Sequence, residues 1–152
     1  MIIIQDTREQ HPLAWVSDDV LTEIIVQTLP VGDYTARYTD GTLCPIYFER
    51  KSISDLFGTM TRDYARFKAE MARAKTMGVT LILAIEGSMT KVVKGHKYSR
   101  VPGKTIVRKL MTLWLKYGLV PMFFKNREEM AMGIREFYES YGRNYKRGTT
   151  RG

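Results

Sequence analysis

The stretch "VGDYTARYTDGTLCPIYFERKSISD", residues 31–55, sets Asp33, Glu49, Arg50, Lys51 and Asp55 along what reads as a β-hairpin. Side chains alternate faces along a strand. Phe48 and Arg50 therefore point one way, and Glu49 and Lys51 the other. Glu49 and Lys51 share a face about 7 Å apart. If residues 33–38 and 44–51 pair across the turn signal "TDG", Asp33 comes beside Glu49. Two carboxylates and a lysine then converge, as metal-assisted phosphodiester hydrolysis requires. Carboxylate oxygens hold Mg²⁺, which keeps several waters. The ion activates a bound water and polarises the phosphoryl oxygen. A neighbouring lysine steadies the developing negative charge. On that chemistry Asp33 and Glu49 are ligands and Lys51 is their electrostatic partner. The same residues also read as an ion-pair network at an exposed hairpin end. A second cluster, "DTRE", puts Asp6, Arg8 and Glu9 just after the first apolar run. Ends of strands are where α/β folds place ligands, although Asp6 could simply cap a turn.

The elements that must position these groups follow from apolar period. Residues 1–5 read as a buried strand and Pro12 marks a loop. Residues 17–24, "SDDVLTEI", predict a short helix capped by Ser17, and residues 24–29 a strand. Tyr64, Phe67, Met71 and Ala74 share one face of a helix over 61–77, with Gly78 as its stop. "VTLILAIEG" (79–87) is a continuous apolar strand of the kind covered on both faces. Residues 94–104 predict a basic loop. Ile106, Leu110, Leu113 and Tyr117 stripe a helix ended by Gly118. A strand over 119–124 and a helix over 126–142, with Asn126 as N-cap, close the pattern. The basic, Gly-rich residues 143–152 read as a tail outside the domain. The order gives one α/β domain: a mixed central β-sheet with helices on both faces.

Charge is unevenly spread along the 152 residues, whose net charge is +8. Residues 1–86 hold 9 Lys/Arg and 12 Asp/Glu, whereas residues 87–127 hold 10 Lys/Arg and no acid. A basic surface beside a carboxylate cluster suits an enzyme acting on a polyanion, and a solvated basic face is the alternative. Arg62, Arg66 and Arg73 mark a candidate phosphate track on the 61–77 helix. In the basic loop, Lys94, Lys97, Arg100 and Lys104 are candidate phosphate contacts, and Tyr98 is a candidate base-stacking residue. Two scattered histidines and the single cysteine, Cys44, give no zinc spacing. No Gly-x4-Gly-Lys-Ser/Thr order is present, so no nucleotide cofactor is indicated. No apolar run approaches the roughly 20 residues of a membrane span. The N-terminus lacks a signal-peptide pattern. An intracellular setting is expected: cytoplasm or nucleoid, or a nucleus or host cell.

The motif "Gly32-Asp33 … Glu49-Arg50-Lys51-Ser52-Ile53-Ser54-Asp55" resembles the signature of the ERCC4-type nuclease domain of the XPF and Hef proteins. "DTRE", "LPVGDY", "SISDL", "IEG" and the last two helices extend the likeness over roughly residues 2–140. The resemblance implies a restriction-endonuclease-like core. It also implies an endonuclease dependent on Mg²⁺ or Mn²⁺ that prefers flap, fork or other branched DNA in repair, recombination or replication. Asp33 and Glu49 would be metal ligands, with Asp6 and Glu9 completing or supporting the site. Arg50 and Lys51 would serve catalysis and phosphate contact, and Asp55 would be a supporting acid, paired with a base such as Arg50. Arg8 would support the site and DNA. Many members add a tandem helix-hairpin-helix domain, and this chain reads as a stand-alone form. It departs from the family at Glu70, where glutamine is usual. In relatives the last helices dimerise. Met130, Ile134, Phe137, Tyr138 and Tyr141 accordingly predict one stripe on the sheet and a remainder open to a homo- or heterodimer partner. The alternatives are a DNA-binding adaptor that needs a partner for activity, and a nuclease on RNA or single strands.

Overall fold

The computed structural model describes residues 1–15 and 23–145. Eleven elements follow one another: β1 (Ile2–Gln5), β2 (Glu23–Val26), β3 (Tyr34–Arg37), β4 (Ile46–Ser52), α1 (Ile53–Met60), α2 (Tyr64–Met77), β5 (Thr80–Glu86), α3 (Met89–Lys94), α4 (Gly103–Tyr117), β6 (Val120–Phe124) and α5 (Arg127–Asn144). The six strands form one sheet in the order β2-β1-β3-β4-β5-β6. The β1/β3 and β3/β4 pairs are antiparallel, and β1/β2, β4/β5 and β5/β6 are parallel. The sheet is mixed, as the sequence predicts.

Period-two alternation sorts the strands onto two cores. Ile4, Tyr47, Leu81, Leu83 and Ile85 face the side covered by α1, α2 and α4. Ile3, Tyr34, Phe48, Ile82 and Ala84 face α5. Continuing that alternation along β4, Glu49 and Lys51 follow Tyr47, and Arg50 follows Phe48. The β3–β4 ladder is short, in register only at Tyr34↔Phe48. Tyr138 of α5 reinforces it: its buried hydroxyl lies 3.0 Å from both the Tyr34 and Ile46 carbonyl oxygens.

Several boundaries differ from expectation. The short helix over 17–24 falls mostly on residues 16–22, outside the described residues, while Glu23 and Ile24 belong to β2. The helix over 61–77 starts at Tyr64, because Ser52 caps a separate α1 through Asp55 N–H and the chain turns at residues 61–63. Phe67, Met71 and Ala74 are buried, and Gly78 ends α2 with φ 73°. The basic loop is shorter than predicted. Lys91 and Lys94 lie on α3, capped by Ser88, and Lys104 lies in the first turn of α4. Six residues with one buried side chain, Val92, left too little apolar period to reveal α3. The last helix continues to Asn144, so Arg143 and Asn144 are helical and not tail. The remainder of the tail, 146–152, lies outside the described residues. Met130, Ile134 and Tyr138 of the α5 stripe are buried on this chain's own core, and Phe137 and Tyr141 pack against it only in part. Among the described residues no helix is long and apolar enough to cross a membrane.

Candidate active site

The site begins at a glycine. Gly32 has φ +69°, and a Cβ there would stand 3.1 Å from the Phe48 carbonyl oxygen and 3.3 Å from Tyr47 Cβ. Only a residue without a side chain lets the chain pass this close to β4. The next residue is thereby placed over the β4 backbone. Asp33 N–H donates to Phe48 O at 2.7 Å, and Arg50 N–H donates to Asp33 Oδ2 at 2.7 Å. The Asp33 carboxylate thus takes the position of a strand carbonyl. Glu49 and Lys51 project into the same cleft, their side chains 3.6 Å apart. The expected convergence of Asp33, Glu49 and Lys51 is what the structure shows. All three line a cleft of about 540 Å³ whose other wall comes from α1 and α2, including Asp55, Arg66 and Glu70.

The acids around this cleft divide by how full their oxygens are. An ionised carboxylate offers about four lone-pair sites. Asp6 has all of them filled. Leu29 N–H and Arg8 Nη2 donate to Oδ1, and Arg8 N–H and Arg8 Nε donate to Oδ2. Glu9 is filled likewise: His11 N–H and Arg50 Nη2 donate to Oε1, and Tyr34 O–H and Arg50 Nε donate to Oε2. Asp6, expected as a metal ligand, here has its oxygens taken by Leu29 and Arg8. Its carboxylate ties the end of β1 to Leu29 and has no acceptor site to spare. Among the described residues, the Asp33 carboxylate has one hydrogen bond, at Oδ2, and the Glu49 carboxyl has only its 3.6 Å pair with Lys51 and a contact with Glu70.

Electrostatics follow the same division. Burial works to raise Glu9, but the hydrogen bonds from Arg50 and His11 outweigh it, and its pKa falls below the usual range. Asp6 is lowered for the same reason, with Arg8 and Leu29 as the donors that overcome burial. Asp33 goes the other way: burial, with some repulsion from Glu9, pushes it up to about 7 despite the Arg50 N–H. Burial and the charges of Asp33 and Glu70 push Glu49 well up. Two crowded, under-solvated carboxylates are what a cation would relieve.

Arg50 lies on the opposite face of β4 from Glu49, as alternation requires. Its partners correct the expected pair with Asp55. Arg50 forks onto Glu9 at 2.8 Å and reaches Glu86 Oε1 at 2.7 Å, with its side chain only 7% exposed. Asp55 is exposed, its backbone N–H caps α1, and its carboxylate makes no ion pair among the described residues. Glu86 also receives Arg127 at 2.7 Å, and Arg127 Nη2 donates to the His11 and Pro12 carbonyls at 2.8 Å. A charged strut therefore runs from α5 through Glu86 and Arg50 to the loop after β1.

Sequence reasoning missed Glu86 and Arg127 as parts of the site and met Glu70 only as a departure from the family pattern. Each left a trace. Glu86 is an acid closing an otherwise apolar parallel strand, where α/β folds build sites. Arg127 is a cation at a helix N-terminus, against the macrodipole. Glu70 falls in step with Phe67, Met71 and Ala74 on the buried stripe of α2.

The expected nucleic-acid residues form separate groups. Arg8 is bound to Asp6 and to Leu29 O. Arg62 and Arg66 are exposed and flank Asp63 at 3.6 and 3.0 Å. Lys94, Lys97, Arg100 and Lys104 surround a second depression of about 650 Å³ between α3 and α4. Tyr98 there is 81% exposed, with Lys97 Nζ 4.8 Å from its ring centroid and His96 between it and Phe57.

This mixed sheet, with its acids and lysine gathered where β3 meets β4, is a restriction-endonuclease-like fold. It superposes on XPF from Aeropyrum pernix with a TM-score of 0.73 at 20% identity, covering 97% of this chain and 68% of that one. For XPF from Aeropyrum pernix in complex with DNA, the TM-score is 0.70 at 20% identity, over 95% and 66%. The chain thus spans about two thirds of the length of each. A search of curated proteins gives no match. The ERCC4 domain family model matches residues 5–137, and the chain belongs to that family.

Proposed function

We propose that this chain is an endonuclease that hydrolyses DNA phosphodiester bonds with the aid of Mg²⁺ or Mn²⁺, with a preference for flap, fork or other branched DNA. One observation carries the reading: the acids lining the cleft include two that are saturated with donors, Asp6 and Glu9, and two that are left open beside a lysine, Asp33 and Glu49. The family and the DNA complex of an XPF protein of the same fold support DNA as substrate.

The open donors are hard oxygens, which suit a cation that keeps part of its water. Asp33 and Glu49 would hold the ion. When bound, it would supply Lewis-acid polarisation of the phosphate and an acidified water. Lys51, on the Glu49 face, would orient the attacking water or steady the phosphate charge. Arg50 acts from beneath: it holds Glu9 and Glu86, while its backbone N–H holds Asp33. Arg66, on the far wall of the cleft, and the cations around Tyr98 offer phosphate contacts for DNA on either side. A dimer through the C-terminal helices would use the partly exposed Phe137 and Tyr141 or the exposed Met132.

The test uses labelled flap, fork, plain duplex, single-stranded DNA and RNA, with Mg²⁺, Mn²⁺ or chelator. Metal-dependent cutting of branched DNA should vanish in Asp33→Ala and Glu49→Gln while DNA binding persists. Binding without cutting under any metal would overturn the reading in favour of an adaptor, and a preference for RNA would overturn the substrate assignment.

A further inference from the structure

Glu70, on the α2 wall of the cleft, has no part in the chemistry described so far. It sits on the buried side of α2, between Phe67 and Met71. Its carboxyl reaches that of Glu49, and it forms no ion pair among the described residues. Its Oε1 is buried without a hydrogen-bond partner. The cation Arg8 feels its charge, but Arg8 is already bound to Asp6. Two like charges in contact are unfavourable, and so is a buried acceptor that lacks a donor. Both defects fall on one side chain, which lines the cleft where Asp33 and Glu49 keep unfilled oxygens. A group bringing positive charge and O–H donors to this spot would remove both at once, and a hydrated divalent cation is such a group.

We propose that Glu70 is a positioning residue of the cleft, whose Oε1 accepts hydrogen bonds from the water carried by a divalent cation held at Asp33 and Glu49. The inference rests on the reading of the cleft as a cation site. Acceptance from water, and not direct ligation, is the assigned role. Among the described residues, no three acidic, histidine or cysteine side chains are grouped closely enough to hold an ion together. Outer partners of this kind govern metal affinity by about 10- to 100-fold.

The experiment measures Mn²⁺ affinity by calorimetry, and melting temperature in chelator and in saturating Mn²⁺, for the full chain and its Glu70→Gln, Glu70→Asp and Glu49→Gln variants. Glu70→Gln keeps the shape and removes the charge. It should melt higher than wild type in chelator, because the contact with Glu49 is relieved. It should bind Mn²⁺ about 10-fold more weakly and gain less melting temperature on Mn²⁺ addition. Glu70→Asp keeps the charge and should fall between the two. A purely structural Glu70 would shift the melt in chelator but leave the Mn²⁺ affinity and increment unchanged. Wild-type affinity in Glu70→Gln beside weakened binding in Glu49→Gln would overturn this role and leave the cation site standing. Absence of Mn²⁺ binding by the wild type would overturn both.

Discussion

Replacing Arg50 with methionine is the sharpest test of the architecture. The guanidinium makes three charged hydrogen bonds, two to Glu9 at 2.8 and 2.9 Å and one to Glu86 at 2.7 Å. The side chains of Glu9 and Glu86 are only 3% and 17% exposed. Removing one partner of a buried pair strands the other charge, at a cost of about 3–5 kcal/mol. Glu86 keeps Arg127, so most of the damage falls on Glu9. With a urea slope of about 2 kcal/mol per M, the midpoint should drop by roughly 2 M at pH 7. The deficit should depend on pH. In the wild type Glu9 has a depressed pKa, so its contribution is present above the unfolded carboxylate value and is lost as pH falls. In the variant, burial is opposed only by His11 N–H and Tyr34 O–H, so the protonated form of Glu9 gains ground and acid costs the variant less than the wild type. The gap should therefore narrow toward pH 4. Adding Glu9→Gln should restore part of the loss, giving a coupling of about 1–3 kcal/mol in a double-mutant cycle. A loss below about 1 kcal/mol at pH 7, or a double variant as weak as the sum of the singles, would refute the argument that this pair is buried and coupled.

Asp33 should give the opposite pH signature. Its folded carboxyl is raised to about 7, so in chelator its contribution is greatest below the ordinary carboxylate value and is lost as pH rises through about 7. Urea unfolding from pH 4 to 8 should show that decline, and Asp33→Asn, which still accepts from Arg50 N–H, should flatten it. Gly32→Ala should cost at least the roughly 1–2 kcal/mol of a left-handed residue. Cleavage should fall further than stability does, because Asp33 is displaced; wild-type activity would remove the glycine from the argument. Neutralising Lys97 and Arg100 should weaken duplex binding and reduce its log–log salt slope by about 0.9 per lost phosphate contact. An unchanged slope would take that surface out of the DNA interface.

What the sequence made legible was local. Alternation along residues 48–51 was enough to separate Arg50 from Glu49 and Lys51, and a hairpin was enough to bring Asp33 to them. The stripes of α2 and α4 were legible because their burial repeats with the helical period. The partners of Arg50 were not. Glu9 and Glu86 lie 41 and 36 residues away, and no local rule links positions across three strands. Asp6 and Glu9 read as completing or supporting the site, because composition shows an acid but not how many donors surround it. That saturation depends on Leu29, Tyr34 and Arg50, which only the folded chain assembles. Lys94 and Lys104 read as loop residues because α3 is six residues long with one buried side chain, and α4 starts after Pro102 without a side-chain cap.

The strut from Arg127 to Glu86, and onward through Arg50 to Glu9, also bears on how the chain is made. Along the chain, the loop that carries Asp6 and Glu9 is synthesised well before Arg127. Until the last helix emerges from the ribosome, the His11 and Pro12 carbonyls lack their Arg127 donor, and Glu86 has only Arg50. The wall of the cleft is therefore completed only once α5 has formed, although the acids lining the cleft are translated before it. A nascent chain halted before α5 carries Asp33, Glu49 and Lys51 without the clasp that fixes the wall behind them.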